Sequence, residues 1–208
     1  MAFVPFYGNP QLPHGDRFLD VGCVKNTAYC LRQLCRRYGN IHFLNLVSEP
    51  LALHGRISFQ CQDIRDCNLP RQSFDAVTCL STIEHVGGDN SYNVSPNRTA
   101  ELAAPSPTRA CWQPAFVSLL SLLKPGGLLI LSTPFGMGAW KNGSYELGRT
   151  DLCALHDLAE GNGRRLRVRL FGKDTGGWRF LSDDRPVPED YLCDSQAGSR
   201  AVLLVQTH

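Results

Sequence analysis

The sequence predicts an α/β protein with a seven-stranded, mostly parallel sheet, an antiparallel last strand and helices on both faces. Three observations predict it. Strand-like and helix-like segments alternate through the first two thirds of the chain, the pattern of crossover helices laid over parallel strands. One segment, "GLLILSTPF" at 127–135, is apolar almost throughout, as a strand covered on both sides must be. The last two strand-like segments, "RLRVRLFG" and "RAVLLVQT", are separated by a Gly-, Pro- and Asp-rich excursion, so they read as an antiparallel hairpin.

The elements follow in order. "RFLDVG" (17–22) is the first strand, and "TAYCLRQLCRRYG" (27–39) the following helix, stopped by Gly39. "IHFLNLV" (41–47) is the second strand and "RISFQCQD" (56–63), ending in Asp63, the third. The polar turn "LPRQS" leads into the fourth, "SFDAVTCL" (73–80). "PAFVSLLSLLKPGG" has helical periodicity up to Pro125 and precedes the fifth strand. "RTDLCALHDLAEGNG" (149–163) is an amphipathic helix with Thr150 as its expected N-cap. One domain over 1–208 is expected, with an N-terminal segment at 1–15. Segments 88–111 and 172–199 are too long to be mere connections, and are expected to be loops on the substrate side of the sheet.

Composition narrows the class. A hydrophobic share of 43% and a charged share of 19% are ordinary for a soluble protein, and no apolar run approaches the roughly 18 residues of a membrane span. The start, "MAFVPFYGNPQLPHGD", lacks the basic and apolar regions of a secretion signal, so a cytoplasmic location is expected. With a net charge of +2 there is no global attraction to a polyanion. The basic cluster "RRLRVR" (164–169) alternates like the solvated face of a strand, so no nucleic acid is expected as partner. Nine cysteines without a C-x-x-C pair and six scattered histidines give no metal-ligand spacing. Cys23, Cys61 and Cys79 lie in or beside apolar runs and are expected to be buried, reduced thiols.

The loop in "FLDVGCVKN" carries the first chemical signal. It begins like a dinucleotide loop but has Val24 and Asn26 where further glycines would let backbone approach a pyrophosphate. No G-K-S/T follows, so a triphosphate loop is excluded too. There remain Asp20 at a strand end and Gly22 at a turn. A carboxylate there accepts from an ammonium group, while amides opening the next helix face a carboxylate. An amino-acid ligand end fits both.

"FLDVGC", "QDIRDCNLPRQSFDAVTCLSTIEHVG" and "SLLKPGGLLILSTPFG" resemble, in this order and spacing, the motifs of class I S-adenosylmethionine-dependent methyltransferases, over roughly residues 16–136. The resemblance implies a Rossmann-like fold, S-adenosylmethionine as methyl donor and S-adenosylhomocysteine as product. It implies that Asp20, Gly22 and the Cys23 backbone surround the methionine end. Asp63 would accept from the adenine amino group with Ile64 beside the ring, and Leu80 and Ser81 would line the cofactor floor. The family usually has an acid at the end of strand two for the ribose hydroxyls; here Asn45 stands there, with Glu49 a few residues on, and either is the candidate.

Glu84 and His85 in "STIEHVG" follow the fourth strand and are the catalytic candidates. A histidine near its usual pKa suits a general base, and the same dipeptide serves as cofactor wall in other members. Tyr92, Tyr145 and Arg149 are candidates for orienting a polar substrate. No Pro-Pro-aromatic run follows strand four and no nucleophilic Cys precedes a Pro there, so a small-molecule acceptor is expected at oxygen or nitrogen. The motif variants are similar to bacterial enzymes of sugar, cell-surface glycan or natural-product pathways. A catalytically inactive binding module on the same fold is the alternative, and the chain is expected to be a monomer or homodimer.

Overall fold

The computed structural model describes residues 12–22, 27–48, 55–88, 111–141, 144–174, 177–183 and 201–207. The chain divides into two compact units, Met1–Cys79 with Ser118–Ile130, and Leu80–Val117 with Leu131–His208.

In the first unit β1 (Gly15–Val21) lies between β2 (Tyr38–Asn45) and β4 (Phe74–Leu80), with β3 (Ile57–Cys61) beyond β2. The pairs β1/β2, β1/β4 and β2/β3 are all parallel. Phe18, Leu19, Ile41, Leu44, Phe74 and Val77 are fully buried, as strands covered on both faces require. The start of β1 is tied down by Asp75, whose carboxylate accepts the amides of Asp16 and Arg17 and the Lys124 ammonium. Burial alone would raise the Asp75 pKa, but these hydrogen bonds and the lysine charge hold it below the usual carboxylate range.

Helix α1 (Ala28–Cys35) begins at Thr27, whose hydroxyl accepts the Cys30 amide at 3.2 Å. It is shorter than the sequence predicts. Arg36 is already the C-cap and Tyr38 opens β2, because the Tyr38 ring packs on Phe18 with centroids 4.9 Å apart and is 2% exposed. Gly39 is therefore a strand residue rather than a helix stop. A Cβ on it would lie 2.7 Å from Asp16 Oδ1.

Helix α2 (Trp112–Leu122) leads straight into β5 (Leu123–Phe135), which takes in the "KPGG" turn. Gly126 has φ +74°, and a Cβ on Gly127 would sit 3.0 Å from the carbonyl oxygens of Lys124 and Phe74. Glycine is required at both, first for conformation and then for space.

In the second unit the later part of β5 is followed in the sheet by β10 (Ala201–Thr207), β8 (Leu166–Asp174) and β9 (Gly177–Asp183). β8 and β10 are antiparallel, as the hairpin reading predicts. Among the described residues this unit's part of the sheet holds one strand more than the sequence predicts, because part of the 172–199 excursion forms β9, antiparallel to β8. Val168 and Leu170 are buried while Arg167 is exposed, so the part of the basic cluster on β8 alternates with a buried face. A small hairpin, β6 (Ala139–Lys141) with β7 (Ser144–Glu146), was not foreseen. Helix α3 (Arg149–Gly161) is capped by Gly148 rather than by Thr150: the Asp151 carboxylate reaches back to the Gly148 amide at 2.8 Å.

All seven described cysteines are free thiols, but Cys61 is exposed on edge strand β3, its Sγ donating to the Leu46 carbonyl at 3.0 Å. Among the described residues no helix is long and apolar enough to cross a membrane.

Candidate active site

Parallel strands bring their carboxyl ends to one edge of a sheet, and ligands of such sheets bind there. In the first unit Asp20, Asn45 and Asp63 stand at or just past the ends of the neighbouring strands β1, β2 and β3. Asp20 is 5% exposed, and a buried carboxylate needs partners. The β1/β4 register sets Thr78 opposite it, and Thr78 Oγ1 donates to Asp20 Oδ1 at 2.5 Å. Gly22 then turns the chain with φ +89°, its amide donating to the Leu44 carbonyl at 2.8 Å. A side chain is strongly disfavoured at that φ.

Asn45 does not simply replace an acid. Its Oδ1 accepts the amide of the next residue, Leu46, at 2.9 Å. Asp63 caps a 3-10 turn (Ile64–Asp66) and is gripped by Arg65, which donates through its backbone amide, Nε and Nη2. Burial by itself would raise the Asp63 pKa, but the Arg65 hydrogen bonds and charge outweigh it and keep the carboxyl below its ordinary value. Ile64 is 7% exposed.

The donor set of this unit fits a zwitterionic adenosyl ligand. A buried carboxyl near the end of β1, two residues before the Gly22 turn, can accept from an ammonium group, and the Asp63 carboxylate beyond β3 can accept from an amino group.

In the second unit Leu80 ends β4 and is 8% exposed, and Ser81 after it is exposed with φ +49°. Its amide donates to the Ser132 carbonyl at 2.9 Å and to Ser132 Oγ at 3.1 Å, while its hydroxyl donates to Glu84 Oε1 at 2.7 Å. A non-glycine residue in the left-handed region costs about 1–3 kcal/mol and persists only where its surroundings enforce it. Here Ser132 and Glu84 enforce it. Glu84, expected beside the chemistry, is 1% exposed in the 3-10 turn Ile83–His85, where its Oε1 accepts the Ser81 hydroxyl. His85 in the same turn is half-buried, its amide donating to the Thr82 carbonyl at 3.0 Å.

Tyr145, a sequence candidate for orienting a substrate, is buried instead and packs as a support. It is 2% exposed, its ring meets Trp140 at 5.7 Å, and its hydroxyl donates to Asp151 Oδ2 at 3.0 Å. Arg149 is exposed on the first residue of α3. Tyr145→Phe removes one donor from a buried carboxylate, so a stability loss of about 1.5–3 kcal/mol is expected. Chemical denaturation checks it, and a change under about 0.5 kcal/mol would remove the support role. Cys23, Glu49 and Tyr92 lie outside the described residues.

Thr78, Ser132, Arg65 and Asp151 escaped the sequence reading. Only Arg65 had a local signal, since an Asp that caps a turn meets the residue two places on. Among the described residues no cluster of His, Cys, Asp or Glu is placed to hold a metal ion.

Residues 19–98 match a protein family described as Methyltransferase domain. The ubiquinone biosynthesis O-methyltransferase of Xanthomonas axonopodis pv. citri is 32% identical over 130 residues, 58% of this chain and 44% of the relative. That of Xanthomonas oryzae pv. oryzae is 32% identical over 128 residues, 57% and 43%. The chain thus matches less than half the length of these relatives. Among solved structures, a SAM-dependent methyltransferase of Leishmania major superposes with a TM-score of 0.58 at 14% identity, over 100% of this chain and 70% of that one. The N-methyltransferase NodS of Bradyrhizobium japonicum gives 0.53 at 14%, over 92% and 84%. At such identities the likeness is one of fold.

Proposed function

We propose that this chain, a member of the class I S-adenosylmethionine-dependent methyltransferases, binds S-adenosylmethionine at the carboxyl ends of β1 to β3. Its activity in this reading is transfer of the methyl group to a hydroxyl of a small molecule such as a sugar, glycan precursor or natural product. The buried Asp20, held by Thr78 at the strand end beside Gly22, carries the reading. The preference for oxygen over nitrogen is supported by the O-methyltransferase names of the curated relatives.

The sulfonium of the bound donor supplies an electrophilic methyl carbon, so the protein's part is alignment and exclusion of water. Asp20 is assigned to the ammonium group and the amides after Gly22 to the carboxylate of the methionine end. Asp63 is assigned to the adenine amino group. Because the Asn45 oxygen is engaged by the Leu46 amide, Glu49 is assigned to the ribose hydroxyls.

In the second unit His85 is assigned as general base. With donor and acceptor bound, its imidazole would take the proton that the acceptor hydroxyl gives up on methylation. Glu84 is a positioning residue for Ser81.

Labelled S-adenosylmethionine with a panel of phenols, catechols and sugars tests the reading, with incorporation into at least one hydroxyl acceptor expected. His85→Ala should then lower turnover about 10²- to 10⁴-fold while the Kd for S-adenosylhomocysteine moves less than about threefold. Unchanged turnover would leave His85 as wall, and label appearing only on amines would overturn the choice of oxygen.

A further inference from the structure

We infer that Arg17, His42 and Ser58 form an acid-sensitive clamp across β1, β2 and β3, closed while the His42 ring is neutral and opened when the ring takes a second N–H proton. The clamp belongs to the fold and stands apart from the cofactor reading, although it joins the three strands whose ends carry Asp20, Asn45 and Asp63.

Register and side-chain chemistry together make it. His42 lies on β2 with Leu19 of β1 on one side and Ser58 of β3 on the other. Arg17 Nη2 approaches His42 Nε2 at 3.4 Å, and Ser58 Oγ lies 2.7 Å from His42 Nδ1. A guanidinium has donors only, so Nε2 must accept and the ring proton belongs on Nδ1. Nδ1 then donates to Ser58 Oγ, whose own hydroxyl donates to the Ile41 carbonyl at 3.5 Å. The donors all point one way, from β1 through β2 to β3 and back to the β2 backbone.

Protonation breaks the chain at its first link. With a proton on both ring nitrogens, Nε2–H faces an Arg17 N–H, and two donors with two positive charges meet without an acceptor. Arg17 is held in place, because its guanidinium lies 4.9 Å from the centroid of the buried Phe74 ring, which the His42 ring meets at 5.4 Å and nearly perpendicular. Swinging it out forfeits a cation–π contact. The carboxylates of the neighbouring strands are engaged elsewhere: Asp16 by Asn40, Asp20 by Thr78, and Asp75 by two amides and Lys124. Arg32 and Arg36 of α1, which packs on β2, and Arg56 before β3 bring only further positive charge. Burial first and the Arg17 charge second hold the His42 pKa below its ordinary value. A pKa lowered by folding gives stability that is fully present above the unfolded value of about 6.5 and is lost as pH falls through the folded one.

NMR titration of the histidine rings in the full chain, assigned through their own backbones, tests this directly. At about pH 7.5 the ring nitrogen shifts of His42 should place the proton on Nδ1. On acidification His42 should titrate below the same residue in the urea-unfolded chain. Arg17→Met, which keeps an apolar stem for Phe74 but no charge, should bring that titration point up toward the unfolded one. Between about pH 7.5 and about pH 5 the urea midpoint of the wild type should fall more than that of His42→Asn, whose amide still donates to Ser58 but takes no proton. A proton on Nε2, a folded titration point at or above the unfolded one, or the same point in Arg17→Met and wild type overturns the clamp. Equal midpoint losses in wild type and His42→Asn do so too. Should His42→Asn not fold, the ring titrations of wild type and Arg17→Met decide by themselves.

Discussion

Asp20→Asn is expected to weaken S-adenosylhomocysteine binding by about 2–4 kcal/mol, roughly 30- to 1000-fold in Kd, while the fold is retained. The substitution keeps the shape of the side chain and an oxygen for the Thr78 hydroxyl, which sits 2.5 Å from Asp20 Oδ1. What it removes is the charge. At 5% exposure that charge is poorly screened, so its hydrogen bond to an ammonium group is worth more than a surface pair. Titration calorimetry gives the Kd and a denaturation curve the stability. A Kd within about threefold of wild type would show that the first loop does not hold the methionine end.

Phe18→Ala is expected to cost about 3–5 kcal/mol of stability. Phe18 is completely buried on β1, which has hydrogen-bonded neighbours on both sides, and its ring packs on Tyr38 at 4.9 Å. No exposed edge lets the strand collapse into the space left. A domain of this size has about 5–15 kcal/mol in total, so urea denaturation should show a large drop in midpoint with little change in slope. Residues two apart on a strand share a face, so Phe18 packs on the side from which Asp20 projects. A loss below about 1 kcal/mol would mean that β1 is not in the core.

The strands were legible where burial is two-sided. Phe18, Leu19 and Val21 in β1 and Val77 and Cys79 in β4 are all at most 4% exposed, and their apolar runs need no knowledge of neighbours to be read. The ends were less legible. Arg36 and Arg37 are good helix formers, but Tyr38 is drawn into β2 by its partner Phe18, a contact between residues twenty apart. The β6–β7 hairpin has strands of three residues, too short for any period to register, and its burial of Tyr145 turned an expected loop aromatic into a support.

The site divides in the same way. Asp20, Gly22 and Asp63 are at strand ends, where the sequence pattern and the family resemblance make them candidates. Thr78 could not, because it lies fifty-eight residues from Asp20 and meets it only through the β1/β4 register. Ser132 reaches Ser81 likewise across the chain, from inside β5. Register is set by the packing of whole strands, so such pairings have no local signature.

Binding of S-adenosylhomocysteine to the unmodified chain tests the central claim most directly. Titration calorimetry should give one site per chain with a Kd in the micromolar range or tighter, and no binding of a nicotinamide dinucleotide under the same conditions. No heat with S-adenosylhomocysteine or S-adenosylmethionine up to millimolar concentration would contradict the account and leave a methyltransferase fold without its cofactor.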